Sequence, residues 1–159
     1  MIAMVPASFD PVTSGHVDII ERAARIFDQV WVVVFHNPRK TATFTPAERV
    51  EMLRKTTAHL PNVRVDSSDG LAADYAHAHG VKVMVKGLRA FSDFEYEYQM
   101  AQMNKKLDDG IETLFMMTST PYSFVSSSLV KEVAQFGGNL EGLVPSFVEE
   151  KLRAKFERG

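Results

Sequence analysis

Near its N-terminus the chain carries the segment Pro6-Ala7-Ser8-Phe9-Asp10-Pro11-Val12-Thr13-Ser14-Gly15-His16. The apolar run Ile2 to Val5 precedes this segment and predicts a β-strand, and apolar residues at helical spacing follow it. The segment therefore joins a strand to an amphipathic helix. Gly15 and His16 fall in the first helical turn, where unpaired backbone N–H groups and a partial positive charge attract anions. This pattern predicts a phosphate-binding turn.

Short apolar, β-branched runs alternate with segments of helical period along the chain. The runs that predict strands are Ile2 to Val5, Val30 to Phe35, Val63 to Val65, Val81 to Val85 and Thr113 to Met117. Strands that are apolar on both faces and alternate with helices form a parallel sheet, because right-handed crossovers lay helices over each face. We predict an α/β fold: a single Rossmann-like, doubly wound domain over residues 1–159, with a five-stranded parallel sheet flanked by helices.

Two helix starts are marked by local sequence. Thr45-Pro46-Ala47-Glu48 combines a capping threonine, a proline at the first helical position and a reciprocal glutamate before an apolar periodic run. Pro145 can open a last helix, predicted over about 145–157, with Val148 and Leu152 on its apolar face. The charged residues of this last helix are typical of a solvated face, and we assign them no chemistry.

The composition excludes several classes of protein. A chain of 159 residues with 45% hydrophobic content has the size of one globular domain. A formal net charge of -2 and a sequence pI near 6.2 argue against general binding to nucleic acid or to a membrane surface, because both rely on a basic field. The chain has no cysteine, which excludes thiolate catalysis, thiolate metal sites and disulfides. We expect no nucleic-acid partner and no membrane partner.

The same features predict where the protein resides. The longest apolar run, Val30 to Phe35, is far shorter than the roughly 20 residues that a membrane-spanning helix needs. The first residues lack the basic region and following apolar segment of a secretory leader. We therefore expect a cytoplasmic protein.

Polar and basic residues follow the predicted strands. The segments after the first, second, fourth and fifth strands are Ser8 to His16, Asn37-Pro38-Arg39-Lys40, Lys86-Gly87-Leu88-Arg89 and Tyr122-Ser123-Phe124-Val125-Ser126-Ser127-Ser128. In a parallel sheet, ligands bind beyond the carboxyl ends of the strands, near the point where the strand order reverses. We expect these four segments to meet at one edge and to form a phosphate site there.

Each of these features also has an ordinary structural explanation. A histidine in a first helical turn is commonly a cap, a serine triplet before an apolar helix is commonly an N-cap, and Arg39-Lys40 is typical of a solvated loop. Their joint placement at one edge favours a binding site. The role of Glu97 stays open: it is either a ligand-binding residue or an acidic residue that complements a helix dipole.

Other polar and apolar candidates are predicted to be structural. The remaining histidines are His36, His59, His77 and His79. The apolar residues Phe94, Tyr96, Met100 and Met103 are typical of a core or of a subunit contact.

Five blocks form a recognisable set in chain order. They are Thr13-Ser14-Gly15-His16, Asn37-Pro38-Arg39-Lys40, Lys86-Gly87-Leu88-Arg89, Asp93-Phe94-Glu95-Tyr96-Glu97 and the segment Tyr122 to Val133. The Thr-x-Gly-His block alone resembles a wide nucleotidyltransferase superfamily whose members use different acceptors. With the later blocks, the sequence resembles the bacterial phosphopantetheine adenylyltransferases.

The resemblance implies a reaction: adenylyl transfer from ATP to 4'-phosphopantetheine, giving dephospho-coenzyme A and pyrophosphate in coenzyme A biosynthesis. It implies direct in-line attack without a covalent enzyme intermediate. It also implies Mg2+ held mainly through ATP phosphates and water, a homohexamer, and dephospho-coenzyme A or coenzyme A as product or inhibitor. No side-chain metal ligand is expected.

The resemblance further assigns residues to roles. Catalytic roles fall on His16, Lys40, Lys86 and Arg89. The positions that match phosphopantetheine contacts are Ser8, Lys40, Ala72 and Lys86. The positions that match ATP contacts are Ser8, Phe9, His16, Gly87, Leu88, Arg89, Glu97, Tyr122, Ser123, Phe124, Val125, Ser126, Ser127 and Ser128.

Two residues depart from the family pattern. Ala7 stands where glycine is common, and Lys86 stands where arginine is common. Alanine requires a negative φ and adds a methyl group, whereas lysine keeps a positive charge but lacks the bidentate fork of arginine. Both departures concern substrate affinity more than the type of reaction.

Other functions remain open on the residues alone. One is a nucleotidyltransferase of the same superfamily that acts on nicotinate mononucleotide or on a phosphorylated alcohol. Another is a nucleotide sensor without catalysis, which would bind ATP and release no pyrophosphate. A dinucleotide dehydrogenase is disfavoured, because no Gly-x-Gly-x-x-Gly follows the first predicted strand.

Overall fold

The computed structural model of the chain describes residues 1–36, 38 and 40–157, so Asn37 and Arg39 of the predicted second loop lie outside the described residues. Within the described part, five parallel strands form one sheet: β1 (Ile2–Ala7), β2 (Gln29–Phe35), β3 (Val63–Ser68), β4 (Val83–Leu88) and β5 (Glu112–Met117). Their order is β3-β2-β1-β4-β5, which reverses between β1 and β4. The predicted doubly wound, parallel α/β fold is confirmed.

The described residues also form helices on both faces of the sheet. These are α1 (Ser14–Ile26), α2 (Pro46–Thr56), α3 (Ala72–Ala78), α4 (Phe91–Leu107), α5 (Ser127–Gln135) and α6 (Ser146–Phe156). The predicted capping box of α2 is present: the Thr45 hydroxyl accepts from the backbone N–H of Glu48 at 3.1 Å, and the Thr45 N–H donates to the Glu48 carboxylate at 3.1 Å. None of the described helices is long and apolar enough to span a membrane.

The alternation of side chains along each strand gives the sheet a core on both faces. Val5 and Val32 point into a cluster that they share with buried residues of α1, α2, α5 and α6. Met4 and Val33, one position away, belong to a second cluster with buried residues of α3. The inner strands β1 and β2 are therefore largely buried on both faces.

The end of β4 differs from the sequence prediction. The apolar run predicted a strand over Val81 to Val85, whereas β4 spans Val83–Leu88. The strand continues because Lys86, Gly87 and Leu88 pair with successive residues of β5. Lys86 therefore projects from a strand, and only Arg89 of this block follows the strand.

The apolar residues of α4 are not part of the core. The sequence left Phe94, Tyr96, Met100 and Met103 open between a core and a subunit contact, and all four are exposed, which excludes the core. Leu114 and Met117 of the edge strand β5 are exposed as well. Subunit contact at this face stays a prediction.

Candidate active site

A pocket of about 330 Å³ opens at the carboxyl ends of β1 and β4, where the strand order reverses. We name it the His16 pocket. All four segments that the sequence predicted to meet contribute lining residues: Ser8, Phe9, Thr13, Gly15, His16, Lys40, Lys86, Gly87, Arg89, Val125, Ser126, Ser127 and Ser128. Asp93 and Glu97 of α4 line the pocket as well. The structure thus brings the four predicted catalytic residues to one pocket.

His16 takes part in the N-terminal cap of α1. The N-cap is Thr13, whose hydroxyl accepts from the backbone N–H of His16 at 3.3 Å. In return, the backbone N–H of Thr13 donates to Nδ1 of His16 at 3.0 Å. Because Nδ1 accepts this bond, the neutral ring carries its proton on Nε2. His16 is therefore a capping residue, and the cap also fixes the ring that lines the pocket. The catalytic role of His16 stays a prediction.

The charge of His16 is set by its surroundings. Desolvation by the surrounding protein, followed by the cations Arg89 and Lys86, lowers the pKa of His16 to about 4. The imidazole is consequently neutral at physiological pH. It can act there as an N–H donor, and it is not a cation.

Phe9 shapes the turn between β1 and α1. Its ring is 2% exposed and meets the His16 ring edge-on, with centroids 5.0 Å apart. Its φ of 50 degrees lies in the left-handed region, which is uncommon for a residue with a side chain. Ala7 does not share this conformation, so alanine in place of glycine imposes no backbone strain there.

Lys86 and Glu97 form an ion pair on the pocket wall. The Lys86 ammonium lies 3.3 Å from the Glu97 carboxylate, and both side chains are largely buried. The position of Glu97, open on sequence alone, is therefore at the pocket and beside a cation. Its carboxylate orients the Lys86 ammonium.

Arg89 links three parts of the site. Its Nε lies 3.3 Å from the Asp93 carboxylate, and its Nη1 donates to the backbone carbonyl of Val125 at 3.2 Å. The second contact fastens the end of β4 to the segment before α5. This guanidinium therefore has a fixed position beside the serine cluster.

The serine cluster, Ser126 to Ser128, starts α5. The Ser126 hydroxyl accepts from the backbone N–H of Leu129 at 3.1 Å as the N-cap. The Ser127 hydroxyl donates to the carbonyl of Pro11 at 2.7 Å. The serine cluster thus places the N-terminus of α5 at the His16 pocket, where the free N–H groups of the helix can bind an anion.

Four of the residues predicted to contact ATP line neither the His16 pocket nor its neighbour: Leu88, Tyr122, Ser123 and Phe124. Tyr122 packs against the core instead, and a Cβ on Gly15 would lie only 3.5 Å from Tyr122 Cβ. Phe124 is exposed. Of the predicted loop, Val125 to Ser128 thus line the His16 pocket, and Tyr122 to Phe124 do not.

A second pocket of about 710 Å³ adjoins the first, and we name it the Ala72 pocket. All four positions predicted to contact phosphopantetheine line it: Ser8, Lys40, Ala72 and Lys86. Apolar walls come from Phe35, Leu71, Met84 and Met100. Ser8, Lys40, Lys86 and Glu97 line both pockets, so the two spaces share a wall that carries two lysines.

Comparison with known proteins decides between the related families. The chain is 54% identical over 157 residues to the phosphopantetheine adenylyltransferase of Carboxydothermus hydrogenoformans, which covers 99% of this chain and 97% of that protein. It is 56% identical to the enzyme of the same name from Symbiobacterium thermophilum, over 98% of this chain and 96% of that protein. The chain belongs to the phosphopantetheine adenylyltransferase family. Its members are nucleotidyltransferases, and the resemblance found in the sequence is confirmed.

Two further comparisons concern the wider family and the fold. A model of the cytidylyltransferase-like family matches residues 4–133. A solved structure from Vibrio parahaemolyticus, titled "Putative Nicotinate-nucleotide Adenylyltransferase", superposes with a TM-score of 0.69 over 99% of this chain and 96% of that chain. At 16% identity, that likeness establishes the fold alone.

Nucleotidyltransferases of this kind are expected to use Mg2+, which side-chain carboxylates or phosphate oxygens can ligate. The described residues hold no group of three or more histidine, aspartate or glutamate side chains that could ligate a metal. The two carboxylates of the His16 pocket, Asp93 and Glu97, each face a cation. That the metal is held mainly through ATP phosphates and water stays a prediction.

Sequence reasoning missed several charged residues behind the site. Asp10, Arg49 and Lys131 line a small pocket of about 120 Å³ next to Ser8 and Lys40. His36, expected to be structural, lines this pocket and the Ala72 pocket. Arg49 could have been found from the sequence pattern. It occupies the same helical face as the buried Leu53 and Met52, where a charged residue is uncommon.

Proposed function

We propose that the chain, acting over residues 1–159 as a single nucleotidyltransferase domain, transfers the adenylyl group of ATP to 4'-phosphopantetheine. The products are dephospho-coenzyme A and pyrophosphate, a step of coenzyme A biosynthesis. The relatives named above support this acceptor. One observation carries the proposal: Ser8, Lys40 and Lys86 line both pockets, so two anionic substrates can meet at a shared cationic wall.

The acceptor supplies its own nucleophile. A phosphate monoester has a second pKa near 6, so its oxygen is anionic at neutral pH and needs no strong general base. The barrier lies in bringing two polyanions together in line, which positioning and charge stabilisation lower. A phosphate oxygen of the acceptor forms a bond to the α-phosphorus of ATP as the bond to pyrophosphate breaks. No covalent enzyme intermediate is needed.

We assign His16 the role of donor to the α-phosphate. Its neutral ring, with the proton on Nε2, can donate to an α-phosphoryl oxygen as negative charge develops there. The cap at Thr13 fixes the ring before ATP arrives. The donor therefore requires little reorganisation during the reaction.

We assign the nucleophilic phosphate to Ser8, Lys40 and Lys86. Each of the three lines both pockets, as the meeting point of two substrates requires. Lys86 can exchange its contact with Glu97 for a phosphate oxygen. Ala72, at the start of α3, would contact the pantetheine arm along the apolar wall of the Ala72 pocket.

We assign the remainder of ATP to the His16 pocket. Arg89 and the serine cluster would hold the β- and γ-phosphates, because a fixed guanidinium and a helix N-terminus meet there. The other walls are Phe9, Gly87, Glu97 and Val125. Leu88 and the residues Tyr122, Ser123 and Phe124 would act through the backbone that carries these walls. Mg2+, when bound to ATP, neutralises part of the triphosphate charge.

Three further features belong to the same proposal. We propose a homohexamer, and the exposed apolar face of α4 and β5 offers a contact surface for it. We propose a cytoplasmic location. We also propose that dephospho-coenzyme A, or coenzyme A, occupies the two pockets as product or inhibitor. Light scattering of the purified protein checks the assembly.

The acceptor assay tests the proposed function. The protein is incubated with ATP, Mg2+ and either 4'-phosphopantetheine or nicotinate mononucleotide, and pyrophosphate and product mass are measured. Pyrophosphate and dephospho-coenzyme A are expected with 4'-phosphopantetheine alone. Pyrophosphate with nicotinate mononucleotide would instead place the protein in another branch of the superfamily. Binding of ATP without pyrophosphate from either acceptor would indicate a sensor.

A further inference from the structure

We infer that Asp10 is a positioning residue that holds the segment bearing Lys40 against the phosphate turn. The inference rests on the proposed function, since it concerns how Lys40 reaches the acceptor phosphate. Asp10 is 8% exposed and lies between β1 and α1, two residues after Ser8. Its carboxylate is directed away from solvent toward two other segments.

Both oxygens of the Asp10 carboxylate are engaged. Oδ1 accepts from the backbone N–H of Phe44 at 2.9 Å, and Oδ2 accepts from the backbone N–H of Thr43 at 2.9 Å. Oδ2 also lies 3.3 Å from the ammonium of Lys131 in α5. A single carboxylate therefore joins the turn after β1, the segment before α2 and the middle of α5.

The segment 40–44 depends on this carboxylate. Among the residues that the structure describes, the bonds of Thr43 and Phe44 to Asp10 are the only hydrogen bonds that this segment makes. Phe44 is itself 2% exposed, so the anchored end is buried. Lys40, a few residues before this anchor, lines both the His16 pocket and the Ala72 pocket.

Local charge gives Asp10 a second role. Lys40, Arg49 and Lys131 surround the small pocket that Asp10 lines. Arg49 is 1% exposed and donates from Nη1 to the carbonyl of Ser8 at 2.9 Å, while its Nε and Nη2 have no hydrogen-bond partner within residues 1–36, 38 and 40–157. Without the Asp10 charge, three cations would face one another in a small space. Repulsion would then move Lys40, which is the exposed member of the three.

A double-mutant cycle tests whether Asp10 acts through Lys40. The variants are Asp10→Asn, Lys40→Ala and their combination, with the KM for 4'-phosphopantetheine and for ATP as readouts. We expect Asp10→Asn to raise the KM for 4'-phosphopantetheine by about tenfold, as loss of a charged hydrogen bond does, and to add little once Lys40 is absent. An effect of equal size in both backgrounds, or an unchanged KM, would overturn the inference.

A matched control separates positioning from stability. Asp66 likewise accepts from a backbone N–H, that of Ser67 at 2.8 Å, and from the Tyr75 hydroxyl at 2.6 Å, but it lies on β3 away from the pockets. Asp66→Asn should lower the unfolding midpoint and leave both KM values unchanged. If Asp10→Asn does not fold, the cycle is run with Asp10→Glu, which keeps the charge and displaces the anchor by one methylene.

A second readout does not depend on activity. Hydrogen exchange at the amides of Thr43 and Phe44 reports the anchor directly. We expect Asp10→Asn to accelerate it at least about tenfold relative to Asp66→Asn. Unchanged exchange would refute the inference, whereas absence of pyrophosphate from the wild-type protein would refute the proposed function instead.

Discussion

The backbone N–H of Thr13 donates to Nδ1 of His16 at 3.0 Å, so the residue that caps α1 also selects the tautomer of the pocket imidazole. The motif Thr13-Ser14-Gly15-His16 thereby does two things. It satisfies free N–H groups at the helix start, and it leaves Nε2 as a fixed donor.

The tautomer and charge of His16 can be measured in the free protein. Nitrogen NMR across pH should show the Nε2–H tautomer, neutral above about pH 5, because burial, Arg89 and Lys86 lower its pKa to about 4. The unfolded chain, with a histidine pKa of about 6.5, then binds the proton first. The titration of His16 should therefore lower the free energy of unfolding as the pH falls from about 6.5 toward 4. An Nδ1–H tautomer, or a pKa near 6.5, would contradict this structure.

Removal of the His16 imidazole should slow the reaction more than it weakens binding. Loss of one preorganised donor costs about 2.7 to 4 kcal/mol, or roughly a hundred- to a thousandfold in turnover. We expect His16→Ala to lower kcat by that factor with a much smaller change in the KM for ATP. The matched control is His77→Ala, whose imidazole is exposed on α3. Near-normal turnover in His16→Ala would remove this residue from the mechanism.

The shared wall predicts different effects for two basic residues. Lys86 lines both pockets and Arg89 lines the His16 pocket alone. Lys86→Gln should raise the KM for both substrates and Arg89→Gln mainly that for ATP, each by roughly tenfold or more, since charged hydrogen bonds contribute about 1.5 to 3 kcal/mol. Steady-state kinetics with each substrate varied in turn measures this. Lys86→Arg, which keeps the charge, is the control, and a Lys86→Gln effect confined to ATP would count against the shared wall.

The stereochemical course tests for a covalent intermediate. A single in-line displacement inverts the configuration at the α-phosphorus, whereas two successive displacements through an enzyme adduct retain it. With ATP that carries a chiral α-thiophosphate, we expect inversion in the dephospho-coenzyme A analogue, read by phosphorus NMR. Retention would mean that a nucleophilic residue of the enzyme forms an adduct, a role that we assign to no residue of the His16 pocket.

The sequence was most informative where a local signal has a local cause. The strand-to-helix segment around Gly15 and His16, and the capping box at Thr45, depend on neighbours within a few residues, and both were predicted correctly. The sequence also predicted that Lys40, Lys86 and His16 line one pocket, because parallel strands bring their carboxyl ends to one edge of the sheet.

The sequence was less informative where distant segments decide. The strand containing Lys86 extends past its apolar run because β5 pairs with it, and no local pattern shows that pairing. Phe124 is exposed and lies outside the pocket, whereas the adjacent Val125 lines it, and no local pattern distinguishes the two residues. Asp10 and Arg49 bind segments separated by more than thirty residues, so their contacts appear only in three dimensions.

The proposed mechanism makes the phosphate of the acceptor the nucleophile, held by Ser8, Lys40 and Lys86 beside the α-phosphate of ATP. A comparison of pyrophosphate release from ATP with 4'-phosphopantetheine and with unphosphorylated pantetheine, both at saturating concentration, tests this role of the phosphate. We expect rapid release with the phosphorylated acceptor and none above background with pantetheine. Comparable release from pantetheine would show that the acceptor phosphate is not the nucleophile.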